Sequence, residues 1–203
     1  PIVVPLLGAA LSMLVKQLFL QRIISFIALG ISFASSIVVV AKVATDDDIL
    51  VTRLGGWPAQ IAITLVADRF AALMLIVSIA IMTLVLIYSI GQQARDEHST
   101  AYHPVYLVLA AGLSQAFLAG DLFNLFVAFE MMLVASYVLL TLEGTNKQIR
   151  SGVTYVVLNV VESTILLLGI GLVFAATGTV SMAELPARLA ALPDGVQMGL
   201  NLL

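Results

Sequence analysis

The sequence predicts an all-α, polytopic transmembrane helical bundle, and three observations carry that prediction. The composition is 61% hydrophobic and 10% charged with a mean hydropathy of +1.11, whereas soluble domains run near ~25% charged. The apolar residues come in long unbroken runs, unlike barrel strands, which alternate over about 10 residues. Most runs also have the length a helix needs to cross roughly 30 Å of hydrocarbon at about 1.5 Å per residue. Six spans are expected at about 1–15, 23–43, 64–90, 104–119, 122–142 and 152–176, with the start of a seventh at 196–203. A single transmembrane domain therefore covers 1–203, and its short apolar ends read as a piece of a longer polytopic protein. No basic stretch precedes the first run, so a signal peptide is not expected.

Composition also excludes several functions. A formal charge of −3 is too small to imply nucleic acid or an acidic partner. With no cysteine there are no disulfides, no thiol catalysis and no thiolate metal site. His98 and His103 fall in one polar connection, 92–103, and are expected there as solvated loop side chains rather than metal ligands. No cofactor is expected.

Taken in order, Lys16 closes the first span and Arg22 opens the second. The polar segment 44–63 carries Asp46, Asp47, Asp48 and the turn Gly55-Gly56-Trp57-Pro58, whose glycine pair and proline break any helix and whose tryptophan suits the water–lipid boundary. Asp68 and Arg69 near the start of the third span read as an interfacial ion pair with a snorkelling arginine. Only Gly120-Asp121 separates spans four and five, and 143–150 is a further polar connection. After span six, Ser181-Met182-Ala183-Glu184 fits a capping box, and Leu185, Leu189 and Leu192 then share one face. An amphipathic surface strut is expected at 181–192, shortened by Pro186. With the first end outside, Lys16, Arg22, Arg95, Lys147 and Arg150 are cytoplasmic, and Lys42, Arg53, Arg69 and Arg188 lie outside, which satisfies the positive-inside rule narrowly.

Two carboxylates stand out, Glu130 in the middle of span five and Glu162 in the middle of span six. An ionised side chain at that depth costs several kcal/mol, so each is a candidate functional residue. At about 100° per residue, positions seven and eleven away return to within about 20° of the same face. Glu130 thus aligns with Tyr137 and Thr141, and Glu162 aligns with Tyr155 and Ser151, with Asn159 one turn away. A polar stripe from solvent to a mid-membrane acid is what a proton half-channel needs, with water and hydroxyls relaying protons to a desolvated carboxylate. The same hydroxyls and amides also serve as plain hydrogen bonds between helices. For Glu130 that second reading is poor, because a glutamine bonds equally well without the ionisation cost. Glu162 is the candidate second proton site, or a group turned toward a partner subunit. No basic residue lies in the central regions of the six spans.

The run Gly120-Asp121-Leu122-Phe123-Asn124-Leu125-Phe126-Val127, with Phe129-Glu130 and Ala135-Ser136-Tyr137-Val138-Leu139-Leu140, closely resembles the fifth helix of the D subunit of Mrp-type multisubunit Na⁺/H⁺ antiporters. Gly55-Gly56-Trp57-Pro58 followed by Asp68-Arg69 resembles the segment before that family's third helix, and Gly178-Thr179-Val180-Ser181-Met182-Ala183 its sequence after helix six. Relatives include the antiporter-like subunits of respiratory complex I and of membrane-bound hydrogenases. The resemblance implies a protein of about 14 helices with two inverted five-helix repeats, each with a broken helix, and a bacterial plasma-membrane location. It implies that Glu130 is the essential glutamate, working with a helix-seven lysine beyond residue 203. Glu162 departs from the small or hydroxyl residue expected there.

The expected function is a proton-translocating subunit of a monovalent cation (Na⁺)/proton antiporter, a secondary transporter and not an enzyme. Its partners would be the other subunits of a hetero-oligomeric complex, protons, Na⁺ and lipid. Two alternatives stay open: a redox-driven pump subunit of complex I or a hydrogenase, and a structural membrane subunit that moves no ions.

Overall fold

The computed structural model describes residues 1–46, 49–55, 61–91, 100–142 and 144–193. Among them, the elements follow the order α1 (Val3–Leu14), α2 (Leu18–Asp46), β1 (Leu50–Leu54), β2 (Ile63–Ala67), α3 (Arg69–Gly91), α4 (Tyr102–Leu118), α5 (Leu122–Leu140), α6 (Asn146–Thr177) and α7 (Leu185–Ala190). Helices α2, α3, α5 and α6 are long and apolar enough to cross a membrane. The apolar helices α1 and α4 are shorter, at 12 and 17 residues. The start of a seventh span at 196–203 lies outside the described residues, as do His98 and the Gly56-Trp57-Pro58 part of the turn.

The least polar surface is buried around α4. Its Tyr102, Tyr106, Leu107 and Ala110 form one core with Ala9 of α1, Ala28 and Leu29 of α2, and Met82 and Leu86 of α3. A second core lies at the other end, where Leu118 meets Val43, Ala67, Leu75 and Ile79. α6 sits at the periphery, with only Gly152, Ile170 and Thr177 buried along its length.

A β-hairpin is the main departure from the all-α expectation. Strands β1 and β2 pair antiparallel with Leu50 opposite Ala67 and Leu54 opposite Ile63. The two five-residue runs LVTRL and ITLVA are rich in Val, Ile, Leu and Thr and flank a sequence carrying Gly55, Gly56 and Pro58, a hairpin signature hidden by the apolar run that continues into α3. Helix α3 consequently begins at Arg69, and residues 64–67 belong to the sheet. Asp68 caps α3 by accepting the Ala71 amide at 2.7 Å through Oδ1.

Three other local expectations are corrected. His103 is not a solvated loop residue: it lies in the first turn of α4, fully buried, with Nδ1 3.1 Å from the Ser25 hydroxyl and its ring edge-on to Tyr102. Ser181 does not open a capping box. Its backbone is held in an extended bridge to Asp121, and α7 starts only at Leu185 with Glu184 as a cap that makes no side-chain bond. The helix runs six residues, with Pro186 in its first turn, in place of the expected strut over 181–192. A capping box does form at α6. Thr145 accepts the Gln148 amide, and the Gln148 side chain accepts the Thr145 amide.

Gln21, 1% exposed, joins three chain segments opposite the hairpin end. Its Nε2 donates toward the carbonyls of Ser12 at 3.0 Å, Val15 at 2.8 Å and Thr100 at 3.2 Å. The end of α1, the start of α2 and the approach to α4 are thereby tied together.

Candidate functional site: the α5–α6 pair

The hairpin end of α5 is fixed by Asp121, which from sequence looks like no more than a connection residue. Asp121 is 2% exposed and serves as the N-cap. One carboxylate oxygen, Oδ1, accepts the Asn124 amide at 2.7 Å, and Oδ2 accepts the Thr64 amide of β2 at 2.8 Å. The Thr64 carbonyl accepts the Gly120 amide at 2.8 Å, and Gln115 of α4 donates to the Asn124 side chain at 2.7 Å. On the other side, the Leu122 amide donates to Val180 and the Met182 amide to Gly120, each at 3.0 Å. Gly120 has no room for a side chain: a Cβ would lie 2.5 Å from the Val66 side chain and 3.1 Å from the Thr64 carbonyl. The hairpin, α4, α5 and the segment after α6 therefore converge on Gly120-Asp121. A buried carboxylate with two backbone donors is satisfied without a cation.

From that anchor α5 buries Asn124, Ala128 and Ala135. Ala128 lies against α4, where a Cβ on Gly112 would approach its carbonyl at 3.3 Å. Glu130 is about 200° from Ala128 at about 100° per residue and so faces away from α4. It shares its stripe with Phe123 and Tyr137, seven residues to either side. Both of those residues meet α6. Phe123 lines a cavity of about 410 Å³ with Leu167, Ile170, Gly171 and Phe174. Tyr137 and Thr141 close on Gly152, where a Cβ would stand 3.0 Å from the Tyr137 ring and 2.5 Å from the Thr141 methyl.

Glu130 is half-buried, and its Oε1 is buried without a hydrogen-bond partner among the described residues. A buried oxygen with no donor costs on the order of 1–3 kcal/mol, which marks a place where water, a proton or another side chain is needed. The remaining predicted residues are distributed unequally. Tyr137, Thr141, Tyr155 and Asn159 are half-buried, while Ser151 and Glu162 are exposed on this chain. The Thr141 hydroxyl donates to the Tyr137 carbonyl at 3.0 Å, a bond within its own helix. The stripe that joins Glu162 to Tyr155 and Ser151 thus runs along a flank of α6, about 60–100° from the Gly152 face. The inward face carries Gly152, Asn159, Ile170 and Thr177, which fall within about 20° of one line. No group of three or more His, Asp or Glu suited to a metal occurs among the described residues.

Residues 119–203 match the family model described as NADH:quinone oxidoreductase/Mrp antiporter, TM. The chain is 40% identical over 190 residues to the D subunit of the Na⁺/H⁺ antiporter of Bacillus subtilis (strain 168), covering 93% of this chain and 38% of that protein. It is 37% identical over 198 residues to the D subunit of a probable K⁺/H⁺ antiporter of Rhizobium meliloti (strain 1021), covering 95% and 36%. Among solved structures, a chain of the Mrp complex from Dietzia sp. DQ12-45-1b superposes with a TM-score of 0.86 at 31% identity, over 99% of this chain and 38% of that one. A chain of the membrane-bound sulfane sulfur reductase, an archaeal respiratory membrane complex, gives a TM-score of 0.83 at 25% identity, over 98% and 40%. The chain spans a little over a third of the length of these relatives.

Proposed function

We propose that this chain, 40% identical over 190 residues to an antiporter D subunit and matched over residues 119–203 by the NADH:quinone oxidoreductase/Mrp antiporter family model, is the proton-carrying part of a multisubunit monovalent cation/proton antiporter. Bacterial antiporter-subunit relatives and apolar helices make it a multi-pass protein of the bacterial plasma membrane. The single observation that carries the proposal is the buried, unpartnered oxygen of Glu130 at the middle of α5.

In this reading α1 and α4 complete six spans with α2, α3, α5 and α6. Glu130 accepts a proton that enters from the cytoplasmic end through the contact of α5 with α6, where Tyr137 and Thr141 meet Gly152 beside Ser151 and Tyr155. Asn159 lies on the inward face of α6 along this route. Glu162 stays outside it, because it is exposed on the flank of α6. The proton would leave toward the lysine that the resemblance places beyond residue 203, with a charge change on one group altering the affinity of the other. Partner subunits would supply the rest of the machine, as the relatives' names as subunits and the multisubunit neighbours support.

The reductase neighbour favours a second reading, a redox-driven pump subunit. Copurification decides between them: small Mrp-type subunits support the antiporter, and iron–sulfur subunits support the pump. Exchange by the complete complex carrying Glu130→Gln tests the role of the carboxylate itself.

A further inference from the structure

The unpartnered oxygen of Glu130 needs a donor, and the geometry of the α5–α6 pair selects one. The two helices run antiparallel: Tyr137 packs against Gly152 near one end, and farther along Phe123 shares a cavity with Leu167, Ile170, Gly171 and Phe174. Glu130 lies midway between Phe123 and Tyr137 on the same stripe. Seven residues from Tyr137 toward the hairpin end is a rise of about 10 Å, and seven residues from Gly152 along α6 is the same rise. That step leads to Asn159, which remains within about 20° of the Gly152 face. Glu162 is turned about 80° away and is exposed. Ser163 also lies near the inward face, but its hydroxyl donates to the Val160 carbonyl at 3.4 Å.

We infer that the side-chain amide of Asn159 is the positioning donor for the Glu130 carboxyl, presenting its N–H to Oε1 as the proton arrives and leaves. An amide suits that role because it donates to the carboxyl in either protonation state and cannot itself be lost to titration. Through this bond α6 would hold the carboxyl toward the seam between the helices and away from lipid. The inference rests on the reading of Glu130 as the proton-carrying group.

Two measurements on the complete complex in membranes test it. Infrared difference spectra between acid and alkaline conditions identify the Glu130 carboxyl band as the one lost in Glu130→Gln. Asn159→Leu should move that band to higher frequency and slow exchange by roughly tenfold, the equivalent of one hydrogen bond to a charged group. Asn159→Gln, which keeps the amide, should recover part of both, and Glu162→Gln should leave the band in place. An unmoved band in an assembled Asn159→Leu complex overturns the inference. The second measurement does not depend on activity. Residues 1–203 contain no cysteine, so a short thiol cross-linker should join Glu130→Cys to Asn159→Cys and not Glu130→Cys to Glu162→Cys; the reverse pattern overturns the inference. Exchange that survives Glu130→Gln would instead overturn the underlying reading while leaving the cross-link result standing.

Discussion

The Asp121 carboxylate accepts the Thr64 amide at 2.8 Å, joining residues 57 positions apart in a site where Asp121 is 2% exposed. Its other oxygen caps α5, so one side chain orients both the hairpin and the helix that carries Glu130. Asp121→Ala would leave the Thr64 and Asn124 amides buried without acceptors. The expected loss is about 2–4 kcal/mol, from one charge-assisted bond and one cap. Asp121→Asn keeps one acceptor and should cost less. Thermal unfolding of the purified complex and the amount assembled in membranes report both, and equal effects for the two variants would contradict this account.

The close approach of α5 and α6 makes Gly152 the position where added bulk matters most along α6. Gly152→Ala places a methyl group 2.5 Å from the Thr141 methyl and 3.0 Å from the Tyr137 ring. An overpacked contact of this kind costs roughly 1–3 kcal/mol. Gly169→Ala, with nothing within 4 Å, should be tolerated. Melting temperatures of the two variants, measured side by side, check the difference.

His103 and Ser25 give a third expectation. Both are fully buried, and the hydroxyl lies 3.1 Å from Nδ1. Ser25→Ala should destabilise by about 1 kcal/mol through the lost bond. His103→Ala adds a cavity between α2 and α4 and should cost more, about 2–4 kcal/mol. Thermal unfolding orders the two, and a larger loss for Ser25→Ala would refute the packing described.

Glu162 separates position from chemistry. It lies as deep in α6 as an active carboxylate would, yet it is exposed on a flank of the helix, about 80° from the face that meets α5. Glu162→Gln should therefore change exchange by no more than about twofold, the usual scale for a substitution away from packed groups. A loss comparable to that of Glu130→Gln, in an assembled complex, would bring it back into the proton path.

The long apolar helices were legible because hydropathy and length determine them directly. Glu130 stood out as a candidate in the sequence because an acid in the middle of span five has no ordinary place in lipid. The hairpin was less so, since ITLVA runs without a break into α3 and periodicity cannot divide an apolar strand from an apolar helix. Asp121 was missed for a related reason. Its importance comes from Thr64, far away in sequence, although an Asp directly before the apolar α5 run is an N-cap signal. Ser181 misled because a sequence that fits a capping box carries no record of the bridge to Asp121. The facing edges of α5 and α6 could be known only after Tyr137 and Gly152 were seen together, because spacing aligns residues on one helix and says nothing of its rotation against another.

The most direct test of the central claim is cation-dependent proton transport in everted vesicles carrying the complete complex, comparing the natural chain with Glu130→Gln after assembly is confirmed. The account predicts that exchange is abolished while the complex remains intact. Exchange at the natural rate in the assembled variant would contradict it and leave Glu130 as a structural residue.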